Sequence, residues 1–202
     1  MIIGLSGYAR SGKDTVADYL VEQHGFKKIA FAKLLKDSIY TLNPIVSSVP
    51  HSYDTVIRYQ DVVDRIGLDK AKEQYPEVRR LLQIFGTEVG RELLGQNIWV
   101  DTAMNLVKNS EDNWVFTDVR FSNEFEAIKS AGGNVWRVER DSVKPVNAHV
   151  SETALDDYLF DYTFYNNQTI KDLQESVNLA LTYETAKWYN NILPTNEKGN
   201  ND

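Results

Sequence analysis

The chain has 202 residues, a formal net charge of −7 from 22 Lys and Arg against 29 Asp and Glu, and no cysteine. That length holds one domain or a domain with an inserted element; the lack of Cys excludes disulfides, thiolate zinc sites and Cys nucleophiles; and the acidic balance argues against a nucleic-acid polymer as partner. An apolar fraction of 42 % with 25 % charged residues is globular composition. No stretch nears the ~18 apolar residues of a membrane span, and MIIGLSG carries no basic leader, so a cytoplasmic protein without membrane attachment is expected.

Ile2, Ile3 and Leu5, bounded by Gly4 and Gly7, predict a buried strand. Val16 and Leu20, with Ala17 and Val21, then fall at helical i, i+4 spacing, and Gly25 ends that helix before a second apolar strand at Ile29-Ala30-Phe31. Strand, helix and strand within about thirty residues form a βαβ unit and imply a parallel sheet. Val78, Leu81, Leu82, Phe85, Val89 and Leu93 trace one helical stripe, and Val100, Ala103, Met104 and Val107 a second. Arg79-Arg80 opens the first stripe and Arg91 lies about three turns on, a pattern that ordinarily marks a solvated charged face.

The strand logic resumes at Trp114-Val115-Phe116, with Phe121, Phe125 and Ile128 on one face of the next helix. Gly132-Gly133 closes that helix ahead of the strand Val135–Val138. A last strand near Tyr162–Tyr165 leads into a helix carrying Ile170, Leu173, Val177, Ala180 and Leu181, with Thr169 and Asp172 spaced as a capping box. The prediction is a doubly wound parallel α/β domain over residues 1–193. It has a helical insertion at about 40–110, a short polar lid at about 141–153 and a disordered polar tail at 194–202.

Gly7-Tyr8-Ala9-Arg10-Ser11-Gly12-Lys13 matches G-x-x-x-x-G-K between a predicted strand and a predicted helix. There the glycines let backbone N–H groups face an anion, and the helix adds the positive end of its dipole. Lys13 would reach the outer phosphates of a nucleotide. Asp14 stands where many such loops carry the Ser or Thr that holds Mg²⁺; either an Asp acting through water or Thr15 could serve. Asp118 and Arg120 follow a buried strand, at the edge where ligands bind in open α/β sheets. Asp118 could meet magnesium-bound waters or an acceptor, and Arg120 a phosphate; a helix cap and a surface Arg are the plain alternatives. Arg140 ends a strand at the start of the lid, where its charge could meet a transferred phosphoryl group. Trp99 could stack on a base or fill the core, and His149 is a weak lid candidate. His24, His51 and His149 are too dispersed for a His metal cluster, and no protein metal site is expected.

The blocks Gly7–Thr15, Arg79–Thr87, Trp99-Val100, Asp118 with Arg120, Arg140, His149 with Ser151-Glu152, and Asn166 resemble the deoxynucleoside monophosphate kinases of tailed bacteriophages, within the P-loop kinase group. The resemblance implies transfer of the ATP γ-phosphoryl group to a deoxynucleoside 5′-monophosphate, a small-molecule substrate, with Mg²⁺ as cofactor and, for a phage-encoded chain, the host cytoplasm as location. Arg10, Gly12, Lys13, Asp14, Thr15 and Asn166 would hold ATP. Lys36, Arg80, Thr87, Trp99, Asp118, Arg120 and Glu124 would surround the acceptor, with Lys13, Asp118 and Arg140 acting in catalysis. The family pattern assigns Arg137 no clear role. Kinases of phosphomevalonate or dephospho-coenzyme A keep the same chemistry with another acceptor, and a nucleotide-binding regulator is a third option. Base preference and oligomeric state, a homodimer included, are left open.

Overall fold

The computed structural model describes residues 1–48, 56–144 and 153–192. Five parallel strands form the sheet in the order β2-β5-β1-β6-β7: β1 (Ile2–Ser6), β2 (Lys27–Ile29), β5 (Trp114–Phe116), β6 (Asn134–Glu139) and β7 (Tyr162–Tyr165). The central strand pairs on both sides, with Ile2 opposite Trp114 and Ile3 opposite Asn134. The inner strands β1, β5 and β6 are buried on both faces and carry near-continuous apolar runs, whereas the edge strands β2 and β7 are partly exposed.

Strand geometry sends neighbouring residues to opposite faces, and two cores follow. Ile3, Leu5, Val115, Trp136 and Val138 pack on one side against Val16, Ala17 and Leu20 of α1 (Lys13–His24) and against Leu173, Val177 and Ala180 of α8 (Ile170–Ile192). Phe116 and Val135 face the other side, against Val100, Ala103, Met104 and Val107 of α6 (Ile98–Lys108) and Phe125 and Ile128 of α7 (Ser122–Ser130). Helices on both faces make the sheet doubly wound.

Between β2 and α6 lies the insertion: α2 (Lys33–Leu42), the antiparallel hairpin β3 (Ile45–Ser48) and β4 (Val56–Arg58), α3 (Tyr59–Ile66), α4 (Leu68–Gln74) and α5 (Pro76–Ile84). It has its own small core of Ile39, Val46, Tyr59, Val62, Ala71 and Val78.

Several local expectations hold. Gly25 takes a left-handed conformation (φ 68°) and ends α1, its N–H and that of Phe26 both reaching the Leu20 carbonyl. The Asp172 carboxylate accepts from the Thr169 N–H at 2.9 Å at the start of α8. Other details differ. The second strand is Lys27–Ile29, and Ala30 and Phe31 already turn toward α2. Val21 is 36 % exposed, off the buried face of α1. The stripe drawn from Val78 to Leu93 is not one α-helix. Residues Phe85–Leu94 wind as a π-helix, so Gly86 and Gly90 face inward and Leu93 is 78 % exposed. Ser151-Glu152, His149, most of the expected lid and the polar tail lie outside the described residues.

Candidate active site

Every strand of the sheet ends its run toward the same edge, and the loops leaving that edge carry most of the residues singled out above. Two clefts with separate walls open there.

The first, about 390 Å³, is walled by Arg10, Gly12, Lys13, Asp14, Thr15, Arg140 and Asn166, together with Gln168, Ile170 and Leu173. The loop from Gly7 to Gly12 leaves β1 in a conformation few sequences allow. Gly7 (φ 134°), Arg10 (φ 67°) and Gly12 (φ 115°) all have positive φ. A Cβ on Gly12 would come within 2.4 Å of the Asn166 amide, whose Nδ2 donates to the Ser11 carbonyl at 2.8 Å. The last strand thus buttresses the loop from outside. Lys13 Nζ donates to the carbonyls of Gly7 and Tyr8, both at 2.7 Å, and so spans the loop's mouth. Ser11 is 1 % exposed, and its Oγ has no hydrogen-bond partner. A buried hydroxyl without a partner carries a free-energy cost, and an anion oxygen in the loop would remove it. The Asp14 side chain is 85 % exposed and sits 3.6 Å from Lys28 Nζ. Among the described residues, no group of three or more His, Asp and Glu could hold a metal ion. A divalent cation here would therefore take most of its ligands from phosphate oxygens, with Thr15 and Asp14 beside it.

The second cleft, about 240 Å³, lies between the sheet edge and the insertion. Phe31, Ala32, Leu35 and Lys36 form one wall, Gly86, Arg91 and Trp99 another, and Asp118, Arg120, Phe121 and Glu124 the floor. Asp118 faces the cleft while its carboxylate accepts from the backbone N–H of Phe31 at 2.8 Å and of Ala32 at 3.2 Å. The Ala32 cap of α2 offers no side-chain bond of its own, so a carboxylate from the β5–α7 loop fixes where that helix begins. Glu124, 6 % exposed, accepts from the N–H groups of Arg120 (2.7 Å) and Phe121 (3.1 Å). Burial, with the negative charge of Asp118 adding to it, raises the Glu124 carboxyl to about 7. The Arg91 guanidinium stacks 5.0 Å from the Phe121 ring. Trp99 donates from Nε1 to the Gly86 carbonyl at 3.0 Å and packs over Gly90, which ties the π-helix to α6.

Six of the residues expected to hold ATP, and Arg140, gather at the first cleft; Lys36, Trp99, Asp118, Arg120 and Glu124 gather at the second. Arg80 and Thr87 line neither. Arg80 is exposed and forms a two-pronged pair with Glu77 at 2.6 and 2.7 Å, and Thr87 is exposed on the π-helix. Arg91 was missed because α-helical phasing sends it to solvent with Arg79 and Arg80; the widened turn brings it inward. Gln168 was also missed, although the polar run Asn166-Asn167-Gln168 directly after the last strand marks a loop at the ligand edge.

Residues 43–177 match the family model for deoxynucleotide monophosphate kinase. The chain is 29 % identical over 193 residues to a candidate deoxynucleotide monophosphate kinase of Acanthamoeba polyphaga mimivirus, covering 88 % of this chain and 94 % of that protein. It is 26 % identical over 183 residues to the deoxynucleoside-5′-monophosphate kinase of Escherichia phage T5, covering 64 % of this chain and 72 % of that one. With the deoxynucleotide monophosphate kinase of Escherichia phage RB69 it shares 22 % identity over 242 aligned positions, covering 89 % and 99 %.

Proposed function

Because the chain belongs to the deoxynucleotide monophosphate kinase family, we propose that its two clefts seat the two substrates of a phosphoryl transfer, ATP in the first and a deoxynucleoside 5′-monophosphate in the second. The observation that carries this reading is the presence, at one sheet edge, of a strained Gly7–Gly12 loop spanned by Lys13 and of a second cleft lined by three cations, Lys36, Arg91 and Arg120. One cradle fits a chain of phosphates. The other fits a phosphate attached to a flat ring, because Phe31, Trp99 and Phe121 stand beside the cations.

In this reading the loop N–H groups and Lys13 hold the donor phosphates, and Arg10, Asn166 and Gln168 close the far wall. Lys36, Arg91 and Arg120 hold the acceptor phosphate. An acceptor oxygen attacks the γ-phosphorus; its new P–O bond forms as the bond to the ADP oxygen breaks. The acceptor is already ionised near neutral pH, so no protein base is required. Catalysis then rests on positioning and on charge. Lys13 and Arg140, both in the donor cleft, neutralise the oxygens of the group in transit. Asp118 holds Phe31 and Ala32 through their N–H groups and so fixes the wall of the second cleft against its floor. Thr15 and Asp14 would hold Mg²⁺ arriving with the triphosphate, and the ion's contribution is to offset phosphate charge.

An ADP-release assay over the four deoxynucleoside monophosphates, with phosphomevalonate and dephospho-coenzyme A as controls, tests the proposal. The expected result is turnover with at least one deoxynucleotide and background with both controls. Background release with every deoxynucleotide overturns it.

A further inference from the structure

Arg137 belongs to neither cleft, yet it is the most heavily engaged side chain near the phosphate loop. It lies on β6 with a side chain 9 % exposed. Its Nε donates to Glu139 at 2.8 Å, its Nη2 to Asp156 at 2.7 Å and its Nη1 to the Leu155 carbonyl at 3.4 Å. The rings of Tyr8 and Phe160 lie 5.3 and 5.2 Å from its guanidinium. Three of its five N–H groups are thus engaged within the chain and its plane lies against two aromatic rings, so the protein, and not a ligand, sets its geometry.

The other oxygen of Asp156 accepts from the Tyr8 hydroxyl at 2.9 Å. Desolvation and that bond push the Tyr8 hydroxyl above its ordinary pKa, in the direction that keeps its proton on the bond to Asp156. Tyr8 is the second residue of the phosphate loop. While its side chain is tied to Asp156 and Arg137, its carbonyl accepts from Lys13 Nζ at 2.7 Å and from the Ser11 N–H at 3.2 Å. One residue therefore joins an ion pair, buried on its Arg137 side and one-third exposed at Asp156, to the ammonium at the loop's mouth.

We propose that Arg137, Asp156 and Tyr8 are positioning residues of the phosphoryl transfer, holding the loop so that the Tyr8 carbonyl seats Lys13 where the donor phosphates pass. This extends the phosphotransfer reading above and rests on it. Displacing a transferring group by about 1 Å costs on the order of 100-fold in rate, and loss of one hydroxyl from a shared network costs less.

The test uses the full chain and compares Tyr8→Phe, Asp156→Asn and the double variant. Tyr8→Phe keeps the ring beside Arg137 and removes only the hydroxyl. The expected result is a roughly 10-fold loss of kcat in each single variant, an unchanged KM for the deoxynucleotide, and a double variant no worse than either single. Arg137→Lys keeps the charge without the planar fork and lowers kcat to a similar degree. Wild-type kcat in Tyr8→Phe overturns the proposal, as does fully additive loss in the double variant or loss that merely follows the fraction unfolded. Wild-type protein inactive on every deoxynucleotide would defeat the phosphotransfer reading instead. Loop positioning is then read from affinity for a non-hydrolysable ATP analogue, which Tyr8→Phe weakens several-fold if the proposal is right and leaves unchanged if it is wrong.

Discussion

Glu124 shows how one buried carboxyl links the second cleft to pH. Its carboxyl is raised from 4.5 to about 7 in the folded protein. An acid with a raised pKa binds its proton more tightly when folded than when unfolded, so the fold is most stable while Glu124 is protonated. Stability is lost as pH climbs from about 4.5 to about 7, by roughly 3 kcal/mol at 1.36 kcal/mol per unit, and is level with respect to this group above that. Urea unfolding at pH 5 and pH 8 checks it: wild type loses stability between the two, and Glu124→Gln loses markedly less. An equal slope in the variant would mean that the proton is bound elsewhere. Retaining so costly a group makes sense where an acceptor oxygen is needed, and here Oε2 fixes the N–H groups of both Arg120 and Phe121 on the cleft floor.

Among the elements, the π-helix from Phe85 to Leu94 gives the second cleft one wall, through Gly86 and Arg91. A Cβ built on Gly90 would meet the Trp99 indole at 2.5 Å. Gly90→Ala therefore pushes Trp99 off Gly86 or the helix off α6, with an expected cost of about 1–3 kcal/mol. A lowered thermal midpoint, with a red-shifted tryptophan emission and a raised KM for the acceptor, is the predicted outcome; an unchanged midpoint would show that the indole moves freely. The same segment marks where reading from the sequence stops. Strands β1, β5, β6 and β7 are legible because short apolar or aromatic runs bounded by turn residues are a local signal, and the phosphate loop because its spacing is chemistry. The hydrophobic period of Val78 to Leu93 looks α-helical, and nothing local announces a turn bonded five residues back. Trp99, on the next helix, bonds the Gly86 carbonyl and packs over Gly90, a contact that periodicity within the stripe does not reveal. Arg91 was lost with it, and so was the hub role of Arg137, which needs Asp156 and Tyr8 brought together from opposite ends of the chain.

At the scale of the molecule, the two clefts share no wall residue. An ATP analogue and a deoxynucleotide should therefore bind together. Each ligand at about 100 times its Kd adds about 2.7 kcal/mol, or roughly 5–10 °C of thermal midpoint for a chain of this size. The expected thermal-shift result is that the two increments sum or exceed their sum, and that Lys13→Ala removes most of the analogue's increment while sparing the other. Mutual competition would place both ligands in one cleft and contradict the two-site arrangement.

The helix α8 has a consequence for how the protein is made. Leu173, Val177, Ala180 and Leu181 complete the apolar layer beneath β1 and α1, and Asn166, just ahead of that helix, props the bend at Ser11. A nascent chain halted on the ribosome before about residue 181 emerges from the tunnel would hold the whole motif at its amino end yet present it on an unfinished layer. Nucleotide capture should then switch on late in translation, when the final helix docks, rather than when the binding motif itself is synthesised.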